Sequence, residues 1–162
     1  MTRHLDNSFG SASRNRLDEA SSLGTDGALA ALETFYFAFN NRDLDVFAQV
    51  WTSDPLAQLN NPLGSILRGG EAITALYDRV FHGSAQVTVT FGDIVEYAGD
   101  THTLFAGRET GEYKDASGRL VPLSIRTTRY FRYESGRWAQ FHHHGSIDDA
   151  DALAAYQATI RG

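Results

Sequence analysis

Three consecutive histidines, His142-His143-His144, stand near the C-terminal end of the chain. The run is internal and short, so it is not an expression tag. Within a strand, His142 and His144 share one face and His143 takes the other. Two imidazoles at i and i+2 can act as a general acid/base pair, grip an anion or share a metal. The structural alternative is hydrogen bonding inside a sheet or at a subunit interface. No third ligand stands at a supporting spacing, so no metal is expected. A second feature is Arg126, Arg129 and Arg132 in an alternating run. Its odd face reads Ile125, Thr127, Arg129, Phe131, Tyr133; its even face reads Arg126, Thr128, Tyr130, Arg132. Arg129 therefore falls on the more apolar face, where an unpaired charge is very costly. Its partner is either an internal acid, with Glu109 the candidate on the neighbouring strand, or a ligand carboxylate held bidentately. Asn60-Asn61-Pro62, ahead of Gly64, makes a turn or presents amides to a pocket, and Asp54-Pro55 is a helix stop before it is a catalytic carboxylate. The candidate ligand-binding set is Arg129, His142, His144, Glu109, Asn61 and Tyr113, with His142 and His144 as catalytic candidates. The sequence has no phosphate-cradling glycine loop, GxSxG elbow or HExxH motif, and no cofactor is expected.

The elements that position these residues follow from periodicity. Leu29, Leu32, Phe35, Tyr36 and Phe39 form one helical stripe, opened by Asp26 as N-cap and ending near Asn41. A shorter helix carries Leu44, Phe47, Val50 and Trp51. The stretch Leu56 to Leu67 reads as extended. A third helix carries Ile73, Leu76, Tyr77, Val80 and Phe81 and stops at Gly83. The period then changes to two, giving strands from Val87, from Thr101 to Tyr113, from Leu120 to Tyr133 and from Arg137 to Ile147. Leu153, Tyr156 and Ile160 predict a closing helix. Helices ahead of an antiparallel meander mean an α+β domain, able to enclose a cavity between sheet and helices. Residues 1–24 read as a flexible N-terminal arm with a short helix near Arg16 to Ser22, and residues 25–162 as a single domain.

Composition narrows the function classes. The 162 residues contain no cysteine, which excludes disulfides, thiol catalysis and zinc ribbons. Asp plus Glu is 20 against 14 Lys plus Arg, a net charge of −6 that disfavours nucleic-acid binding. No apolar run reaches the length of a membrane span, and the polar N-terminus is no secretory signal. A cytoplasmic protein with neither membrane nor nucleic-acid partner is expected.

From Ala28 to Ile147 the chain resembles the NTF2-like superfamily, also called cystatin-like or SnoaL-like. Within it the chain is similar to the association (hub) domain of calcium/calmodulin-dependent protein kinase II and its free-standing bacterial relatives. The generic part is Phe39 to Leu44, Asp54-Pro55 and Gly64 through Gly69. The specific part is Thr128-Arg129-Tyr130-Phe131, Gly136-Arg137-Trp138 and His142-His143-His144-Gly145-Ser146. The resemblance implies a cone, a curved antiparallel sheet wrapped on N-terminal helices, and pairing through sheets as dimers. It also implies a polar pocket whose arginines hold carboxylates. Arg129 falls on one hub pocket arginine, and His142 and His144 on its paired histidines. Glu109 stands where the hub pattern has a second arginine, with Arg108 one position off, and Gly145 replaces a third. The implied pocket is less cationic than a hub pocket. The superfamily also holds isomerases, dehydratases, epoxide hydrolases and cyclases, and none of their constellations is complete here.

Three readings result: a small-ligand-binding, oligomerising protein without catalysis; an isomerase-, dehydratase- or cyclase-type enzyme using a pocket His on a small carbonyl compound; and a purely structural association domain. At least a homodimer is expected, because the sheet face near Tyr130 and Trp138 needs covering.

Overall fold

The computed structural model describes all 162 residues. Strand β1 (Thr2–Leu5) and a 3-10 turn at Glu19–Ser21 precede helix α1 (Thr25–Asn41). Helix α2 (Leu44–Val50) follows, then short strands β2 (Gln58–Asn60) and β3 (Leu67–Arg68) and helix α3 (Gly70–His82). Four long strands come next, β4 (Thr88–Ala98), β5 (His102–Lys114), β6 (Leu120–Glu134) and β7 (Arg137–Ser146). Helix α4 (Ala150–Arg161) closes the chain. No helix is long and apolar enough to cross a membrane.

All strands join one open sheet in the order β1-β4-β5-β6-β7-β2-β3, antiparallel except where β2 runs parallel to β7. The two-residue Ser135-Gly136 turn joins β6 to β7, both residues at positive φ, which suits a tight hairpin. Register shifts in β4, between Gly92 and Val95, and opposite Tyr130/Phe131 in β7 are β-bulges. Bulges raise local twist and bend the sheet, here around α1. The enclosed core is aromatic: Phe35, Phe39, Phe47, Tyr77 and Phe81 form one cluster with neighbouring ring centroids 4.4–6.1 Å apart. This is the α+β domain that the residue pattern implies and the cone that the resemblance implies.

Three local expectations need correction. The segment expected to be a loose arm is laid along the domain: β1 pairs with β4 and Phe9 bridges Phe91, with Leu5, Phe9 and Ala20 buried. Polar contacts hold it there. Arg3 Nε lies 2.6 Å from Glu96, and the Tyr133 hydroxyl and Trp138 indole N–H donate to the carbonyls of Ser21 and Ser22. Those contacts also bury Trp138, so it does not stand on an uncovered face. Finally, Gly24 (φ 104°) is the N-cap of α1, while Asp26 lies in the first turn, where its charge meets the positive end of the helix.

Candidate functional site

The odd-numbered face of β6 points into the cone, and the Arg129 side chain is buried there among four partners. It donates from Nη2 to Glu109 Oε1 at 2.8 Å, from Nε to the Tyr36 hydroxyl at 2.8 Å and from Nη1 to Gln140 Oε1 at 3.1 Å. Tyr36 in turn donates to Glu109 Oε1 at 2.6 Å. The guanidinium carbon lies 3.6 Å from the centre of the Phe35 ring, a cation–π contact that α1 supplies. Burial works against the Arg129 charge, but Tyr36 and Glu109 outweigh it and hold the guanidinium above its ordinary pKa. Burial pushes the Tyr36 hydroxyl well up, so it stays a neutral donor. The pair carries no net charge. Of the two partners open to an inward Arg129, the geometry gives the internal acid.

Beside this network lies a cavity of about 30 Å³, room for a water molecule or two. Its polar wall is Asn61, Tyr77, Glu109, Arg129, His143 and Tyr156; the remainder is apolar and includes Phe39, Val89 and Ile125. His143 is 2 % exposed and its Nδ1 has no hydrogen-bond partner. Burial, followed by the Arg129 charge, holds this imidazole well below its ordinary pKa, so it is neutral at pH 7. Burial also pushes the Tyr77 hydroxyl up to about 12. Gln140 Nε2 is buried without a partner.

His142 and His144 lie on the other face. His142 is half-buried, with Nδ1 3.1 Å from the Gln58 carbonyl oxygen, and His144 is exposed. Neither lines the cavity, and the cause is the β7 bulge. Phe131 faces Gln140, and unbroken pairing would set Arg129 opposite His142; instead Arg129 faces His143. One extra residue flips every later side chain to the other face. Tyr113 is buried edge-on against Tyr156, 5.2 Å between centroids, and lines a separate groove beside α4. Arg108 lies outside too, 2.8 Å from Ser124. The sequence reading left out Tyr36, Tyr77, Gln140, His143 and Tyr156. A signal existed for the tyrosines: each interrupts an apolar helical stripe with a hydroxyl that needs a partner once buried.

Comparison with known proteins decides the family. The family model for the SnoaL-like domain matches residues 32–141. The chain belongs to the SnoaL-like family. Among solved structures, this SnoaL-like chain is similar to a candidate dehydratase of the NTF2-like family from Streptomyces avermitilis, at 19 % identity and TM-score 0.68 over 76 % of this chain and 95 % of that one. It is similar to an uncharacterised protein with a cystatin-like fold from Caulobacter vibrioides, at 21 % identity and TM-score 0.66 over 86 % and 99 %. A candidate calcium/calmodulin-dependent protein kinase type II association domain from Thiobacillus denitrificans matches at 26 % identity and TM-score 0.59 over 75 % and 94 %. No curated protein matches the SnoaL-like chain.

Proposed function

We propose that this SnoaL-like protein binds a small, uncharged, hydrogen-bonding molecule at the Glu109–Arg129–His143 cluster. The observation that carries the reading is the chemistry buried there. An ion pair sealed in a core adds little stability over apolar packing, and each buried unpartnered group costs about 1–3 kcal/mol. A scaffold needs neither, whereas a binding site uses both. Glu109 already neutralises Arg129, so the site favours a neutral hydroxyl or carbonyl over a carboxylate. A thermal-shift series with cyclohexanone, p-cresol and benzoate tests this by mass action. The neutral compounds are expected to raise the melting temperature and benzoate to leave it unchanged. A response to benzoate alone would overturn the assignment in favour of an anion pocket, and no response to any would favour the structural scaffold.

One observation favours a second reading, proton transfer on such a ligand: His143 lines the cavity as a neutral imidazole whose Nδ1 has no hydrogen-bond partner. Turnover of a cyclic ketone that His143→Gln abolishes would establish it. We also propose that the chain forms at least a dimer through the outer sheet face around Tyr130, His142 and His144. A monomer by light scattering at micromolar concentration would overturn that.

A further inference from the structure

A cavity of about 30 Å³ is an order of magnitude below the few hundred that small-molecule pockets occupy. One part of its wall comes from the final helix. Tyr156 is the only buried residue of α4, and its ring lies between the cavity, which it lines, and Tyr113. The rest of α4 is exposed or half-buried, with Ile160 packed against the edge of the core. Ala152 and Ala155 stand over an open groove of about 510 Å³, floored by Tyr113 and Leu123 and ending at Ile147. Two side chains latch the helix to the turn after β2: Gln157 Nε2 donates to the Pro62 carbonyl at 2.8 Å, and Arg161 donates to the Leu63 carbonyl. Pro62 and Leu63 are themselves cavity wall, so the latch spans the mouth.

We propose that α4 is a displaceable plug, that Tyr156 holds the place of the ligand ring, and that the ligand is a small phenol or a cyclic enol or ketone of similar size. This rests on the binding reading above. The cavity beside the ring combines apolar side chains with Tyr77, Glu109 and His143, a pattern suited to a flat apolar body with one hydrogen-bonding tip. Withdrawing Tyr156 joins the cavity to the groove beside α4 and brings the space into the range of a ligand pocket.

The probe is p-cresol, which has the atoms of a tyrosine side chain. Its affinity is measured by calorimetry for the full-length wild type, for Gln157→Ala/Arg161→Ala, and for Tyr156→Ala. Apparent affinity scales with the fraction of open chain, so loosening the latch tightens binding without altering the ring subsite. Two lost hydrogen bonds correspond to on the order of tenfold. Hydrogen exchange across α4 is expected to accelerate in wild type when p-cresol is bound, while β6 slows. Equal affinity in wild type and latch variant, with α4 protection unchanged, would overturn the plug and leave the binding reading standing. Uptake by Tyr156→Ala alone would also overturn it, by showing a filled hole under a helix that does not yield. Binding by none of the three chains would remove both.

Discussion

Glu109 and Arg129 offer a double-mutant test of whether the buried network is what the geometry says. Glu109 is 4 % exposed and Arg129 2 %. Glu109→Gln keeps the shape of the side chain and an oxygen for Tyr36 but leaves the guanidinium buried without its counter-charge. Breaking a buried pair from one side costs about 3–5 kcal/mol. For a chain of 162 residues, each kcal/mol lowers Tm by about 2–4 °C, so the expected loss is about 6–20 °C. Arg129→Met, which orphans the carboxylate instead, is expected to cost a similar amount. The combined Glu109→Gln/Arg129→Met variant removes both charges and is expected to cost no more than either change alone. The coupling energy is then about 3 kcal/mol or more. Urea unfolding at pH 7 followed by tryptophan fluorescence measures it, since Trp51 and Trp138 are both 1 % exposed and report on the folded core. Single losses below about 1 kcal/mol that add in the double variant would refute the reasoning, because that is how a solvent-screened pair behaves.

Two further predictions follow the same physics. The unfolded His143 imidazole protonates near pH 6.5 and the folded one only well below, so the unfolded state binds more protons on acidification. Stability is therefore retained above that pH and lost beneath it at up to about 1.4 kcal/mol per pH unit; melting curves from pH 7.5 to 5 should show a steeper fall for wild type than for His143→Gln, and equal slopes would exonerate His143. Arg3→Ala strips the only partner from Glu96, which is fully buried with Oε1 already unpartnered, and should lower stability by about 2 kcal/mol. Arg14→Ala, whose side chain is mostly exposed and 3.7 Å from a Glu33 that Arg16 also pairs, is the control and should change the melting temperature by little.

The helices and the four-strand meander are legible in the sequence because their apolar residues repeat at distinct periods, three to four along α1 and α3 and two along β4 and β6. The same logic places Arg129 inside, as the odd member of an apolar face. β1 is not legible that way. Four residues in a polar segment carry no period, and the strand exists because β4, more than eighty residues later, offers an open edge and Glu96 needs a cation. Tyr36, Tyr77 and Tyr156 read as core residues whose buried hydroxyls need partners, but an apolar stripe does not say which partners. Their convergence on Glu109 and Arg129 depends on three helices meeting over one strand pair.

The histidine triplet shows a further limit of reading sides from alternation. Alternation says only that the middle residue opposes its neighbours; which side is inward depends on counting back to the Ser135-Gly136 turn. Counted without interruption from Phe131–Gln140, His142 would face Arg129 and His144 would face Thr127, two imidazoles inside. The bulge sets His143 against Arg129 and Gly145 against Thr127. Because all three positions are histidine, an imidazole meets Arg129 in either register. What the bulge decides is the number, one imidazole inside and not two, and the identity of the next inward residue. That residue is glycine, and a Cβ there would come within 3.1 Å of His143 Nε2 and 3.3 Å of Pro62 Cδ. Gly145 therefore leaves room both for His143 and for Pro62, at the latch of α4. The bulge thus couples the shape of the polar end of the cavity to the helix that closes its mouth.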